Sequence, residues 1–214
     1  MKVIAVNGSP RKSWNTATLL HQALAGAVSC HAETEIVHLY DLDYKGCRSC
    51  FSCKLENGPS YGRCAVQDDL TPIFAQIEAA DALLLGSPIY VGSISGAMKS
   101  FFERLTFQYL VYDGQMSSLF PRRIRTGLVC AMGANEARAQ EMGFDQPARM
   151  HERVLARIFG AAESLLVFDT LQFDDYSRYV CPGHDPAAKA RRRAEVFPED
   201  CRKAFELGMR LAGG

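Results

Sequence analysis

The run Ala82-Leu83-Leu84-Leu85, closed by Gly86, has no polar face. A strand of that kind suits a sheet covered by helices on both sides, which is the arrangement of parallel α/β proteins. The rest of the chain keeps the same rhythm. Val3 to Val6, Ile36 to Leu39, Ile124 to Ala131 and Leu165 to Phe168 read as further strands. Between them lie segments of helical period, Thr16 to Val28, a helix from Asp69 as cap through Ile77, one opening at Ser95, and a long one within Ala137 to Phe159. Five strands and at least four helices result, a βαβ alternation. After Ser95, residues Met98, Phe101, Phe102 and Leu105 follow an i, i+3, i+4, i+7 pattern, with Ser95 as cap and Gly96 and Ala97 small enough for close approach. The tail Asp169 to Gly214 carries Cys201, Ala204, Phe205, Gly208 and Leu211 at helical spacing, so it is expected to pack on a single domain spanning 1–214.

The charges narrow the function classes. Lys plus Arg number 24 and Asp plus Glu number 24, a balance that argues against a polyanion binder such as a nucleic-acid protein. No apolar run approaches the ~20 residues of a membrane span, and Met1 leads straight into Val3 to Val6 without a cleavage pattern. A cytoplasmic protein is expected. Its eight cysteines then point to metal, redox chemistry or burial instead of disulfides.

In open parallel sheets ligands bind beyond the carboxyl ends of the strands, so the loops after the first, third and fourth strands are the ones to read. The first, Asn7 to Thr16, is dense in donors for one phosphate: Ser9, Asn15 and Thr16 side chains, a helix N-terminus, and the charge of Arg11 or Lys12. It has neither the G-x-G-x-x-G of a dinucleotide site nor the Gly-Lys-Ser/Thr of a Walker loop. The loop Gly86-Ser87-Pro88-Ile89-Tyr90-Val91-Gly92-Ser93 offers backbone amides and an aromatic to a flat heterocycle. Met132-Gly133-Ala134-Asn135 is small enough to approach a ring closely. Two stretches break the alternation: Tyr40 to Gln67, 28 residues with four cysteines, and Thr106 to Arg123, read as an excursion over a site or an interface.

G-S-P-R-x-x-x-N-T at Gly8 to Thr16, G-S-P-I-Y-x-G-x-x-S-G-x-x-K at Gly86 to Lys99, and C-x-x-x-D-D at Cys64 to Asp69 together resemble the NADPH-dependent FMN reductase family, and most closely its iron-sulfur flavoprotein branch. The tail segment Asp174 to Tyr179 is similar to that branch as well. The resemblance implies a flavodoxin-like three-layer sandwich with a five-stranded parallel sheet of order 2-1-3-4-5, FMN at the strand-end crevice, and a homodimer or homotetramer. It further implies that Ser9, Arg11, Asn15 and Thr16 hold the FMN phosphate and that Pro88, Ile89, Tyr90 and Gly92 line the isoalloxazine ring. NAD(P)H would be the co-substrate. The flavin carries the hydride and electrons, so no catalytic side chain is assigned.

Cys47, Cys50, Cys53 and Cys64 give C-x2-C-x2-C-x10-C. Such spacing allows convergence on a cubane cluster, and in the resembling branch a compact cysteine motif at this place binds a [4Fe-4S] cluster. The gap before Cys64 is longer than is usual there. A four-thiolate zinc site, redox-active thiols and inert cysteines are the alternatives. Cys30, Cys130, Cys181 and Cys201 read as packing residues, with Cys130 the one placed near the proposed flavin. Lys189 to Arg193 reads as a solvated helix face, Phe101 and Phe102 as core or dimer contacts, and Tyr109 and Tyr112 as flavin or interface neighbours. The expected function is an FMN-dependent oxidoreductase of the flavin or quinone reductase type. The alternative is an FMN plus [4Fe-4S] electron-transfer module serving protein partners, reduced by a ferredoxin-like donor.

Overall fold

Strand pairing in the computed structural model, which describes residues 1–213, follows the apolar runs. β1 (Lys2–Asn7) lies between β2 (Glu33–His38) and β3 (Ala82–Tyr90), and β5 (Ile124–Ala131) lies between β3 and the edge strand β6 (Gly160–Val167), all parallel. The order β2-β1-β3-β5-β6 is the expected 2-1-3-4-5 topology with one addition. The two-residue β4 (Ser93–Ile94) folds back antiparallel on the end of β3 through Val91 and Gly92, both at positive φ, as a tight hairpin requires.

Alternate residues of each strand feed different cores. Ile4, Val6, Leu83, Leu85 and Leu128 pack under α2 (Leu70–Ala79), α3 (Gly96–Phe107) and α5 (Gln146–Phe159). Val3, Ala5, Leu84 and Val129 pack under α1 (Asn15–Ser29) and α7 (Phe197–Leu211). The result is a three-layer sandwich, with the tail supplying one of its helices. Gly26 of α1 and Gly208 of α7 make that layer possible: a Cβ on Gly208 would stand 1.7 Å from the Ala23 carbonyl oxygen, and one on Gly26 1.9 Å from that of Phe205.

Several local expectations change. The segment 137–159 is two helices, α4 (Glu136–Glu141) and α5, because Gly143 adopts φ +68° and Pro147 cannot extend a preceding turn. β6 starts at Gly160, five residues earlier than its apolar signal at Leu165. Ser95 caps α3, its Oγ accepting from the Met98 N–H at 3.2 Å. Asp69 does not cap α2; Asp68 Oδ1 accepts the Leu70 N–H at 3.1 Å, while Asp69 Oδ2 accepts that of Asp43. Tyr109 is no flavin neighbour: it is 1% exposed, edge-on to Phe120 and Phe159, and its hydroxyl donates to Glu78. Phe101 and Phe102 are core residues, and Tyr112 is exposed. Cys130 is fully buried, while Cys30, Cys181 and Cys201 are half-buried. Lys189, Arg192 and Arg193 of α6 (Pro186–Glu195) are drawn into contacts with the rest of the fold instead of forming a solvated face. No helix of the described residues is long and apolar enough to cross a membrane.

The Gly208→Ala substitution is expected to destabilise the chain by about 3 kcal/mol or more, since main chain must move. Gly96→Ala, whose Cβ meets nothing within 4 Å, is expected to stay within about 1 kcal/mol. Urea unfolding followed by circular dichroism compares them; equal midpoints would contradict the packing of α1 on α7.

Candidate functional site

The carboxyl ends of β1, β3 and β5 open into one cavity of about 140 Å³, lined by Ser9, Arg11, Trp14, Asn15, Thr16, Pro88, Ile89, Tyr90, Ala131, Met132, Gly133 and Thr170 to Phe173. Seven of the eight residues expected at a flavin are thus brought together. Gly92 lies outside the lining, in the β3–β4 turn, with the Phe144 ring 3.2 Å from its would-be Cβ. A wider groove of about 740 Å³ lies among tail residues between Leu171 and Ala190 and adjoins this cavity at Leu171.

The first loop is set by Asn7, which is fully buried at the end of β1. Its Oδ1 accepts the Ser9 N–H at 2.9 Å, so its Nδ2 must donate to His38 Nδ1, 3.0 Å away. His38 therefore accepts through Nδ1, and burial, followed by the charge of Lys12, lowers its pKa in the same sense. Ser9 Oγ then accepts the Arg11 N–H. The helix that follows has no side-chain cap at Trp14, which leaves the first N–H groups of α1 to a ligand, with Ser9 and Thr16 buried beside them and the guanidinium of Arg11 at the mouth. This donor set fits a phosphate monoester. Pro88, Ile89 and Tyr90 form the wall across from it; Tyr90 is 47% exposed and, through burial of the remainder, titrates above the ordinary phenol.

Thr170 to Phe173 were not anticipated. The segment is the loop after the last strand, so the strand-end rule that selected the other loops applied to it as well. Its carbonyls tie it across the mouth: Leu171 O accepts from Trp14 Nε1 at 3.0 Å and Asn15 Nδ2 at 2.7 Å, and Gln172 O accepts from Arg11 Nη1 at 2.6 Å. Thr170 is anchored on the Met132 carbonyl through both its N–H and its hydroxyl. Phe173 stacks on Tyr179 with centroids 3.9 Å apart. The Thr106 to Arg123 excursion contributes nothing to this cavity among the described residues.

The cysteine loop forms a second site. Cys47, Cys50, Cys53 and Cys64 line one small cavity with Phe51, Ala65, Val66, Arg104, Phe107 and Gln108. Left-handed backbone at Ser49 and Phe51, then a 3₁₀ turn at Ser52–Lys54, winds the closely spaced cysteines toward it. Gln108 Oε1 accepts the Cys64 N–H at 2.8 Å. Among the described residues no three His, Cys, Asp or Glu stand close enough to hold a metal ion as they are, although the donor set, four thiols beside a cation, is that of a metal-thiolate site. Arg104 is 2% exposed, pairs with Asp68, donates to the Val66 carbonyl at 3.2 Å, and leaves its buried Nε without a partner. Burial opposes its charge, and Asp68 and Cys64 more than offset this.

A Rossmann-like sheet with its site at the first and third strand ends and the order given above defines a flavodoxin-like protein. The sequence model of the NADPH-dependent FMN reductases matches residues 1–163, and the chain belongs to that family of FMN-dependent oxidoreductases. An iron-sulfur flavoprotein of Methanocaldococcus jannaschii is 33% identical over 146 residues, covering 68% of this chain and 69% of that protein. One from Archaeoglobus fulgidus is 35% identical over 104 residues, 49% of this chain and 48% of its own length. Of solved structures, the NAD(P)H:quinone oxidoreductase from Methanothermobacter marburgensis superposes with a TM-score of 0.72 at 16% identity, over 99% of this chain and 96% of the other. An azoreductase from Bacillus anthracis reaches 0.69 at 13% identity, over 98% and 99%. These two share the fold.

The thiols differ in acidity. The N–H and hydroxyl of Ser52, with Arg48, pull Cys50 down to about 7; burial pushes Cys53 up, and pushes Cys130 up to about 12. Because the thiolate is the reactive form, Cys50 of the reduced, metal-free chain is expected to reach half its maximal alkylation rate near pH 7 and to react faster as pH rises through that value. Cys130 is expected to label only on unfolding. Mass spectrometry of iodoacetamide-treated samples reads both; a Cys50 profile centred near 9 would count against the Ser52 contacts.

Proposed function

We propose that the chain is an FMN oxidoreductase that takes electrons from a pyridine nucleotide or a ferredoxin-like donor, and that Cys47, Cys50, Cys53 and Cys64 hold a [4Fe-4S] cluster. The supporting observation is that four cysteines drawn from a long loop line one cavity beside a buried arginine whose Nε is unpartnered. A metal-thiolate cluster is anionic, and Arg104 and Lys54, whose ammonium lies 5.0 Å from the Phe107 ring centroid, supply the compensating charge. Ser9, Arg11, Asn15 and Thr16 hold the FMN phosphate, and Pro88, Ile89 and Tyr90 lie along the ring, with Gly92 shaping the hairpin behind them. FMN when bound supplies the hydride- and electron-accepting chemistry; the chain orients it and limits water at its face. We further propose a cytoplasmic location, in keeping with eight unpaired cysteines, and, from the family resemblance alone, a homodimer or homotetramer.

One observation favours the reading as an electron-transfer module. Phe51, Tyr61 and Tyr112, 51%, 50% and 73% exposed, line the cysteine cavity and its neighbouring groove, a surface that a protein partner would cover. Steady-state oxidation of NADH and NADPH, set against reduction by a ferredoxin, separates the two.

Anaerobic purification is expected to yield iron together with a flavin spectrum, and Cys64→Ser to lose the iron and keep the flavin. A flavin spectrum with no iron in the wild-type chain overturns the cluster assignment. FMN at a hundredfold excess over its dissociation constant is expected to stabilise the fold by about 2.7 kcal/mol, and the Arg11→Ala, Thr16→Ala double variant to lose most of that shift. Full FMN stabilisation of the double variant, read by thermal melting, would refute the phosphate assignment.

A further inference from the structure

The match to the reductase family ends at residue 163, yet α6, which begins at Pro186, touches both walls of the flavin cavity. From one turn of this helix, Lys189 Nζ donates to the carbonyl of Gly133 at 2.6 Å and pairs with Asp169, while Arg193 Nη1 donates to Asn15 Oδ1 at 2.9 Å. Residues four apart share a helix face, so a single face reaches the loop after β5 and the first residue of α1. Lys189 is 7% exposed, and the Arg193 guanidinium lies 3.9 Å from the Phe197 ring centroid, which holds it in place.

The consequence for Asn15 is specific. Its Oδ1 is taken by Arg193 and one Nδ2–H by the Leu171 carbonyl, so the amide cannot flip and a single N–H donor remains. Arg193 also places a permanent positive charge at the N-terminal end of α1, where the helix dipole already favours an anion. We infer that Arg193 is a positioning residue for the FMN phosphate, and that it sets the preference for FMN over the unphosphorylated flavin. This rests on the FMN reading above. Lys189 holds the opposite wall through the Gly133 carbonyl and Asp169.

Fluorescence quenching of FMN and of riboflavin by the full chain stripped of flavin tests this. The wild-type chain is expected to bind FMN more tightly than riboflavin. Arg193→Gln is expected to weaken FMN about tenfold and leave riboflavin unchanged, the size of one lost charge-assisted contact. Arg193→Lys, which keeps the charge without the fork, is expected to fall between, and it carries the comparison if Arg193→Gln does not fold. Arg191→Gln, exposed on the same helix, is expected to match the wild type. A merely structural role would lower the melting temperature and weaken both flavins equally; that result, or an unchanged preference in the Arg193 variants, overturns the inference. A wild-type chain that binds neither flavin overturns the FMN reading, and this inference with it.

Discussion

Burial of β1, β3 and β5 on both faces is the constraint from which the remaining structure follows. A strand whose alternate residues all point into a core has no polar side chain to offer along its length, so polar groups gather where the strands end. At those ends the backbone groups that leave the sheet must be satisfied by loops, and the loops are where Asn7, Ser9 and Thr170 form their hydrogen bonds. The same constraint requires a helix layer on each side. On one side the chain up to residue 159 supplies it; on the other α1 alone is too narrow, and α7 completes the cover through the contact of Gly26 with Gly208.

Parts of this were legible because a single physical rule determines them. The apolar runs found the five main strands, the capping rule found Ser95, the strand-end rule selected the loops after the first and third strands, and the family resemblance picked out within them Ser9, Arg11, Asn15, Thr16, Pro88, Ile89 and Tyr90, which line one cavity. Other parts depend on a partner distant in sequence. Ala161 to Ser164 carry no strand signal of their own and pair because β5 offers its full length beside them. Lys189-Ala190-Arg191-Arg192-Arg193 has the composition of a solvated face, and only the positions of Gly133, Asn15 and Asp200 turn three of its charges inward. Tyr109 lies in a polar excursion and is buried because Phe120 and Phe159 close around it.

The two sites are built by different means. The strand-end cavity is framed by the ends of β1, β3 and β5 and the start of α1, with residues 170–173 tied across its mouth. The cysteine cavity is held by irregular backbone: Ser49, Phe51 and Asn57 stand in the left-handed region, where non-glycine residues carry a conformational cost. The Lys54, Gln108 and Arg104 contacts brace that loop against α3 and the residues just after it.

α3 therefore has a role beyond packing. At its start the Ser95 hydroxyl donates to the Gly8 carbonyl in the first loop, and just past its end Gln108 holds Cys64. Thirteen residues of helical rise separate these anchors by about 20 Å. A helix neither stretches nor shortens appreciably, so α3 acts as a gauge block between the two cavities, and the interval between their anchors stays constant.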